Sequence, residues 1–333
     1  MTPPPPPPPP HCSRHSHQVI LMGMSRSGSS LTASLVAALL GHQPGCWRGS
    51  SPPLPLDAHN PLGYFERRDV VALNHAAAAA IARRPSGWTH FPPDFHLAPR
   101  AHTAAAAAAA AAWAAAHFAA PAAAAVADME AHAPWLLKDV RFARTLALWA
   151  PLLSSPVCVI PYRHPAEVVA SSAVRAVSRV ELWRNYVMAA IATAQELRCP
   201  TFLASYDRWM SNRSAAAQLH RLRRFLSCAG VRTAAATAAA DLLPIIQPGQ
   251  RHHKASEAEV VPAETRCLWE WLEATAATQG EEGLRFPEWE VRSVGHLGGG
   301  NRSRTSPWPA SLRQSMWSTA SPARMACPIY SGT

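Results

Sequence analysis

QVILMGMSRSGSSLTASLVAALL, residues 18–40, holds three patterns in a row. The apolar run at its start ends at a glycine turn and predicts a strand over 18–24, covered on both faces. GMSRSGSS is rich in glycine and serine and carries one arginine. The leucines and alanines that follow recur at helical spacing and predict a helix over 29–40. A strand, a glycine loop and a helix start, in that order, make an anion site. Backbone N–H groups at the helix start face the loop, and the helix dipole favours negative charge there.

Gly23 and Gly28 lie five residues apart, and Ser29 and Ser30 follow. The loop that binds ATP has this spacing, with a lysine and then Ser or Thr after the second glycine. Here Ser30 takes the Ser/Thr place and Ser29 stands where the lysine would be. Without that lysine, tight binding of a triphosphate is disfavoured. Arg26, Ser29, Ser30 and the loop N–H groups suit a single 5′-phosphate or phosphosulfate instead. The alternative is a plain strand–turn–helix whose serines cap the helix.

Beyond this stretch the pattern repeats. WLLKDV (135–140) reads as a short strand, with a helix near 142–153 after it. PVCVIPY (156–162) is continuous, apolar and β-branched, as a central parallel strand is. Pro165 suits a first helical turn, and AEVVASSAVRAV continues as helix. PTFLASY (200–206) is a fourth strand, and 65–82, 181–197, 214–228 and 257–275 read as helices. Residues 43–63 read as a long loop. The alanine tract at 104–127 is expected to form one or two helical segments, since alanine has the best helix propensity. Strands alternating with helices predict an α/β fold of three layers, a central parallel sheet with helices on both faces. Ligands in such sheets bind at the carboxyl ends of the strands.

Residues 1–17, with eight consecutive prolines, are expected to be a disordered tail. Residues 18–280 form the expected domain, and 281–333 a disordered tail rich in Gly, Ser, Pro and Arg. The net charge of +10 favours an anionic partner. No nucleic-acid-binding motif occurs, so nucleic acid is not the expected partner. No stretch reaches about 18 strongly apolar residues, so no membrane span is expected. The seven cysteines are odd in number, widely spaced and without C-x-x-C. That argues against a disulfide framework or zinc site and for a reducing compartment. The scattered histidines lack metal-ligand spacing, so no metal is expected. The N-terminus has no secretory h-region, so a cytoplasmic location is expected. A Golgi location is the alternative, if an N-terminal anchor precedes this start.

The third strand ends at Arg163, and Ser171 lies eight residues on, two turns into the next helix. An arginine at a strand end and a serine on the adjoining helix can converge on one anion. A surface arginine before a proline-started helix is the plainer alternative. Two loops of this kind on one sheet suit a nucleotide phosphorylated at both its 5′ and 3′ positions.

GMSRSGSSL, NPLGYFE, WLLKDVRF, RHPAEVVAS and SYDRW follow one another as in the bacterial-type sulfotransferase family, which the chain resembles over about residues 18–275. Members of that family use 3′-phosphoadenosine 5′-phosphosulfate (PAPS) and have a P-loop nucleoside-triphosphate-hydrolase-like fold. The resemblance implies that Arg26, Ser27, Gly28, Ser29 and Ser30 hold the 5′-phosphosulfate and that Arg163 and Ser171 hold the 3′-phosphate. Many relatives carry threonine where this chain has Ser29, and serine still offers a hydroxyl. Arg251 falls where relatives place basic residues near the nucleotide, with a basic surface run over QRHHK as the alternative.

Sulfuryl transfer is an in-line displacement, like phosphoryl transfer. Arg26 is placed to stabilise the leaving oxygen. The acceptor proton needs a base, and Glu66, after a Pro/Gly turn, is the first candidate. Its alternative role is a first-turn acid on the helix dipole. His59 and His42 are rivals in the same loop. Lys138 and Asp139 end the second strand. Lys138 is expected to bind a sulfuryl oxygen, or else to be a solvated surface charge. Trp183 and Tyr186 are expected in the core, and Asp207 is expected to cap a turn after Tyr206. The expected reaction transfers a sulfuryl group to a hydroxyl or amine of a small-molecule or glycan acceptor, releasing adenosine 3′,5′-bisphosphate. A divergent P-loop kinase and a degenerate, anion-binding sulfotransferase fold are the alternatives.

Overall fold

The computed structural model describes residues 16–42, 51–54, 63–82, 113–114, 116–171, 178–234, 239–246 and 261–284. Four apolar runs become four parallel strands: β1 (Gln18–Leu21), β2 (Trp135–Lys138), β3 (Pro156–Tyr162) and β4 (Thr201–Ser205). They lie in the order β2-β1-β3-β4. Leu21 stands beside Lys138 on one side and Val159 on the other, and Tyr162 stands beside Ser205.

Alternate residues of each strand go to opposite faces, as the pleat requires. Val19, Leu21, Val157, Val159 and Phe202 face one core. It is filled by Leu35, Val36 and Leu39 of α1 (Ser29–Leu39) and by Leu219, Leu222 and Phe225 from the helix Ala215–Cys228. Ile20, Leu137, Cys158, Ile160 and Leu203 face the other core, beneath Trp149 and Trp183. The α/β fold with helices on both faces is therefore as the sequence predicts.

On the second face lie α2 (Arg68–Ala82), α3 (Ala119–Glu130), α4 (Phe142–Trp149) and the long helices Ser178–Glu196 and Ala263–Thr278. α3 is the end of the alanine tract. It buries Ala122, Ala125, Val126 and Met129, the i, i+3, i+4, i+7 stripe of an amphipathic helix.

Several element ends differ from the sequence expectation. β1 stops at Leu21 rather than residue 24, because Gly23 packs against the Pro161 carbonyl instead of continuing the strand. β2 stops at Lys138 rather than residue 140; Asp139 turns its carboxylate onto the Arg141 N–H. The helix expected to reach 153 ends at Trp149 and tightens into a 3₁₀ turn over Ala150–Leu152, where Pro151 lacks an N–H. The helix that opens at Pro165 runs only to Ala170. Ser16 and His17, assigned to the tail, already pack: the Ser16 hydroxyl donates to the Ser155 carbonyl, and His17 pairs with Glu130. Leu284, assigned to the C-terminal tail, pairs with Thr201. Gly283, also assigned to that tail, donates its N–H to the Gly280 carbonyl, and only residues 1–15 and 285–333 of the expected tails lie outside the described residues. Cys158 and Cys199 are free thiols, whereas Cys228 is disulfide-bonded, which the cysteine spacing did not announce. No helix among the described residues is long and apolar enough to cross a membrane.

Candidate functional site

The chain places β2 on one side of β1 and β3 on the other. The loops leaving β1 and β3 therefore part in opposite directions at their carboxyl ends. Such a switch point opens a crevice, the usual ligand position in an open α/β sheet. The two loops singled out in the sequence both leave from this point.

The first loop is shaped by close approach. A Cβ at Gly23 would lie 2.7 Å from the Pro161 carbonyl oxygen, and one at Gly28 would lie 2.4 Å from Cδ2 of Tyr206. Gly28 also has φ of +80°, and Arg26 takes a left-handed φ of +67°. Gly28 occupies the N-cap of α1, and no side chain caps that end. The reading of the serines as mere caps is not what the structure shows. The first N–H groups of α1 lack intrahelical partners and point toward the loop. The Ser27 hydroxyl is fully buried and has no hydrogen-bond partner among the described residues. A buried orphan of this kind calls for an explanation, and a bound anion supplies one. Arg26 is exposed at the loop's rim.

Position 29 lacks a lysine, but a lysine reaches the loop from the next strand. Lys138, at the end of β2, approaches the Ser30 hydroxyl at 3.3 Å and donates to the Tyr64 carbonyl. It is 2% exposed, so it is no solvated surface charge. It also pairs with Glu66 at 3.2 Å. Glu66, just before α2, is buried at the same crevice, with Arg141 3.9 Å away. Burial raises the Glu66 carboxyl above its ordinary range. Lys138 opposes that rise, Asp139 adds to it, and Arg141 opposes it more weakly. The preceding residue, Phe65, has φ of +56°. A left-handed phenylalanine costs energy and persists only where its surroundings over-determine it.

At the β3 end, Arg163 lays its guanidinium 4.3 Å from the centre of the Tyr206 ring. Its Nε donates to Glu167 at 2.8 Å. Ser171 is tied to the same residue, its N–H donating to the Glu167 carbonyl, and its hydroxyl donates to the Val168 carbonyl at 3.1 Å. Arg163 and Ser171 thus flank the short helix Pro165–Ala170, and both bond Glu167 within it. Tyr206 joins the two loops, since one ring touches Gly28 and underlies Arg163. Sequence reasoning missed the roles of Tyr206, Glu167 and Arg141. The position of Tyr206 directly after a strand was the available signal.

The structure separates other candidates. His42 lies past the carboxyl end of α1, about 16 Å along the helix from the loop, and is not a rival base. His59 and Arg251 lie outside the described residues. Trp183 is fully buried in the core, as expected. Tyr186 is half-buried beside Arg141 and Asp139, and burial pushes its hydroxyl well above the usual range. The helix after β4 is capped by Ser205, whose hydroxyl accepts the Arg208 N–H, rather than by Asp207.

No family model matches the chain, and no curated protein is similar to it in sequence. Among solved structures it is similar to the sulfotransferase domain from the Synechococcus PCC 7002 olefin synthase, with 16% identity and a TM-score of 0.36, over 80% of this chain and 97% of that one. A likeness this loose leaves the activity to be argued from the site.

Proposed function

We propose that the chain is a sulfotransferase that moves a sulfuryl group from PAPS to a hydroxyl or amine acceptor. The observation that supports the reading is the meeting of two strand-end loops at one switch point. One is the lysine-less loop after β1, with its buried orphan Ser27 hydroxyl. The other is Arg163 on its Tyr206 platform after β3. Two separate monophosphate positions fit a 3′,5′-bisphosphorylated nucleotide better than a single triphosphate.

PAPS supplies a sulfuryl group on an acid-anhydride bond whose cleavage is in-line. The loop N–H groups, Arg26, Ser27, Gly28, Ser29 and Ser30 hold the 5′-phosphosulfate. Arg163 and Ser171 hold the 3′-phosphate. Lys138, already at Ser30, offsets charge on the sulfuryl oxygens. Glu66 takes the acceptor's proton as its oxygen or nitrogen bonds to sulfur. The bridging S–O bond breaks, and its electron pair leaves on the 5′-phosphate, where Arg26 and the loop N–H groups receive it. The raised Glu66 carboxyl suits proton uptake. The acceptor is a small molecule or glycan, and adenosine 3′,5′-bisphosphate is released.

Calorimetric titration with adenosine 3′,5′-bisphosphate and, separately, with ATP tests this. Binding of the bisphosphate at micromolar level with ATP much weaker is the expected result, and Arg163→Ala removes most of it. Preference for ATP would turn the reading toward a kinase. Binding of neither would leave a degenerate fold.

A further inference from the structure

The group around Glu66 contains more charge than a simple base needs. Lys138 and Asp139 come from the end of β2, and Arg141 comes from the turn before α4. His75 of α2 stands beyond Arg141 and hydrogen-bonds its guanidinium. Arg67, the next residue in the chain, turns away to Asp69 and Asp128. Two cations thus face one carboxylate, an arrangement that normally locks it as an ion pair.

The distances show which pair is made. Nη1 of Arg141 is 2.8 Å from Asp139 and 3.9 Å from Glu66. Asp139 is itself fully buried and doubly held. Its Oδ1 accepts the Arg141 N–H and guanidinium, and its Oδ2 accepts the Asn74 amide at 2.9 Å. Asn74 is held in turn, since its oxygen accepts Thr145 and Trp149, each at 2.8 Å. Asp139 therefore cannot move toward or away from Arg141 without breaking a buried network.

We propose that Asp139 is a positioning residue for Glu66: it holds the Arg141 guanidinium back, and so leaves the Glu66 carboxylate able to take a proton. The inference rests on the reading of Glu66 as the base. It deepens that reading by assigning the residue that keeps a second cation, Arg141, from joining Lys138 on the base. The charge on Asp139 acts in the same direction, because it raises Glu66 while Arg141 lowers it. Asn74, one step behind, fixes Asp139.

The test needs no acceptor. NMR titration of the glutamate side-chain carboxyl carbons follows Glu66 directly, with its signal assigned by its loss in Glu66→Gln. In Asp139→Asn the Glu66 midpoint falls, because Arg141 swings onto Glu66 and the repelling charge is gone. In the double variant Asp139→Asn, Arg141→Gln most of that fall is recovered. If the double variant keeps the whole fall, Asp139 acts by its own charge alone and the positioning role is overturned. Should Asp139→Asn fail to fold, Arg141→Gln decides alone. It leaves Asp139 bonded to Asn74, and it raises the midpoint only slightly if Arg141 is held back. A large rise would mean that Arg141 already pairs with Glu66, and would overturn the proposal. Adenosine 3′,5′-bisphosphate titrated into the same proteins reads the donor site separately. A failed sulfotransferase reading and a failed Asp139 role thus give different results.

Discussion

At the scale of single residues, the site depends on one glycine whose two properties can be pulled apart. Gly28 combines φ of +80° with a Cβ position 2.4 Å from the Tyr206 ring. Gly41, beyond the far end of α1, has nearly the same φ of +76°, but a Cβ there would meet only Ala234, at 3.4 Å. Both Gly→Ala changes therefore cost about 1 kcal/mol of backbone strain. Gly28→Ala must in addition displace Tyr206, and with it the stacked Arg163. It is expected to lose adenosine 3′,5′-bisphosphate binding in calorimetry, while Gly41→Ala loses only urea stability. Equal binding by the two variants would remove Tyr206 from the site. The glycine spacing was legible in the sequence. The tyrosine was not, because its partners lie some 40 and 180 positions away along the chain and only the folded sheet brings them together. Lys138 was legible as a strand-end lysine. That it reaches the loop at Ser30 follows only from β2 lying beside β1.

Whole elements were read well where apolar runs are long and poorly at their ends. The helix expected from residue 65 starts at Arg68, because Phe65 is left-handed and cannot continue a helix. That irregular turn is held by Arg67, which is 1% exposed and bonds Asp69 at 2.7 and 3.1 Å and Asp128 of α3 at 2.8 Å. The ion group ties the start of α2 to α3 and fixes the backbone that carries Glu66. Burial alone would raise the Asp69 carboxyl. The hydrogen bond and charge of Arg67, with the Val70 N–H and the Ser51 hydroxyl, outweigh that and hold it below the usual range. A lowered folded-state value means that Asp69 contributes stability above the ordinary aspartate range. The contribution is lost as pH falls from there through the lowered value. Urea midpoints measured against pH should show wild type approaching Asp69→Asn in that acid window. Curves that stay parallel would remove Asp69 as the cause. Replacing both acids with asparagine leaves the buried guanidinium uncompensated, at an expected cost of about 3–5 kcal/mol.

At the scale of the molecule, the alternation of strands and helices was legible, but the strand order was not. Four strand-like runs do not say that β3 crosses to the far side of β1, and that crossing alone creates the crevice. Because the loops at the site leave β1, β2 and β3, a ligand held there binds three neighbouring strands and can exist only in the folded sheet. Its stabilisation should therefore appear as a shift of the main unfolding transition. At a ligand concentration one hundred times its Kd the gain is about 2.7 kcal/mol. For a chain of this size that raises Tm by roughly 5–10 °C. Adenosine 3′,5′-bisphosphate is expected to give this rise in differential scanning calorimetry, and Arg163→Ala to lose most of it. ATP at the same concentration should give little if, as proposed, the loop after β1 takes one phosphate and Arg163 the other. A rise with ATP that survives Arg163→Ala would mean that Lys138 serves a triphosphate at the first loop alone, and the 3′-phosphate position would then have no role.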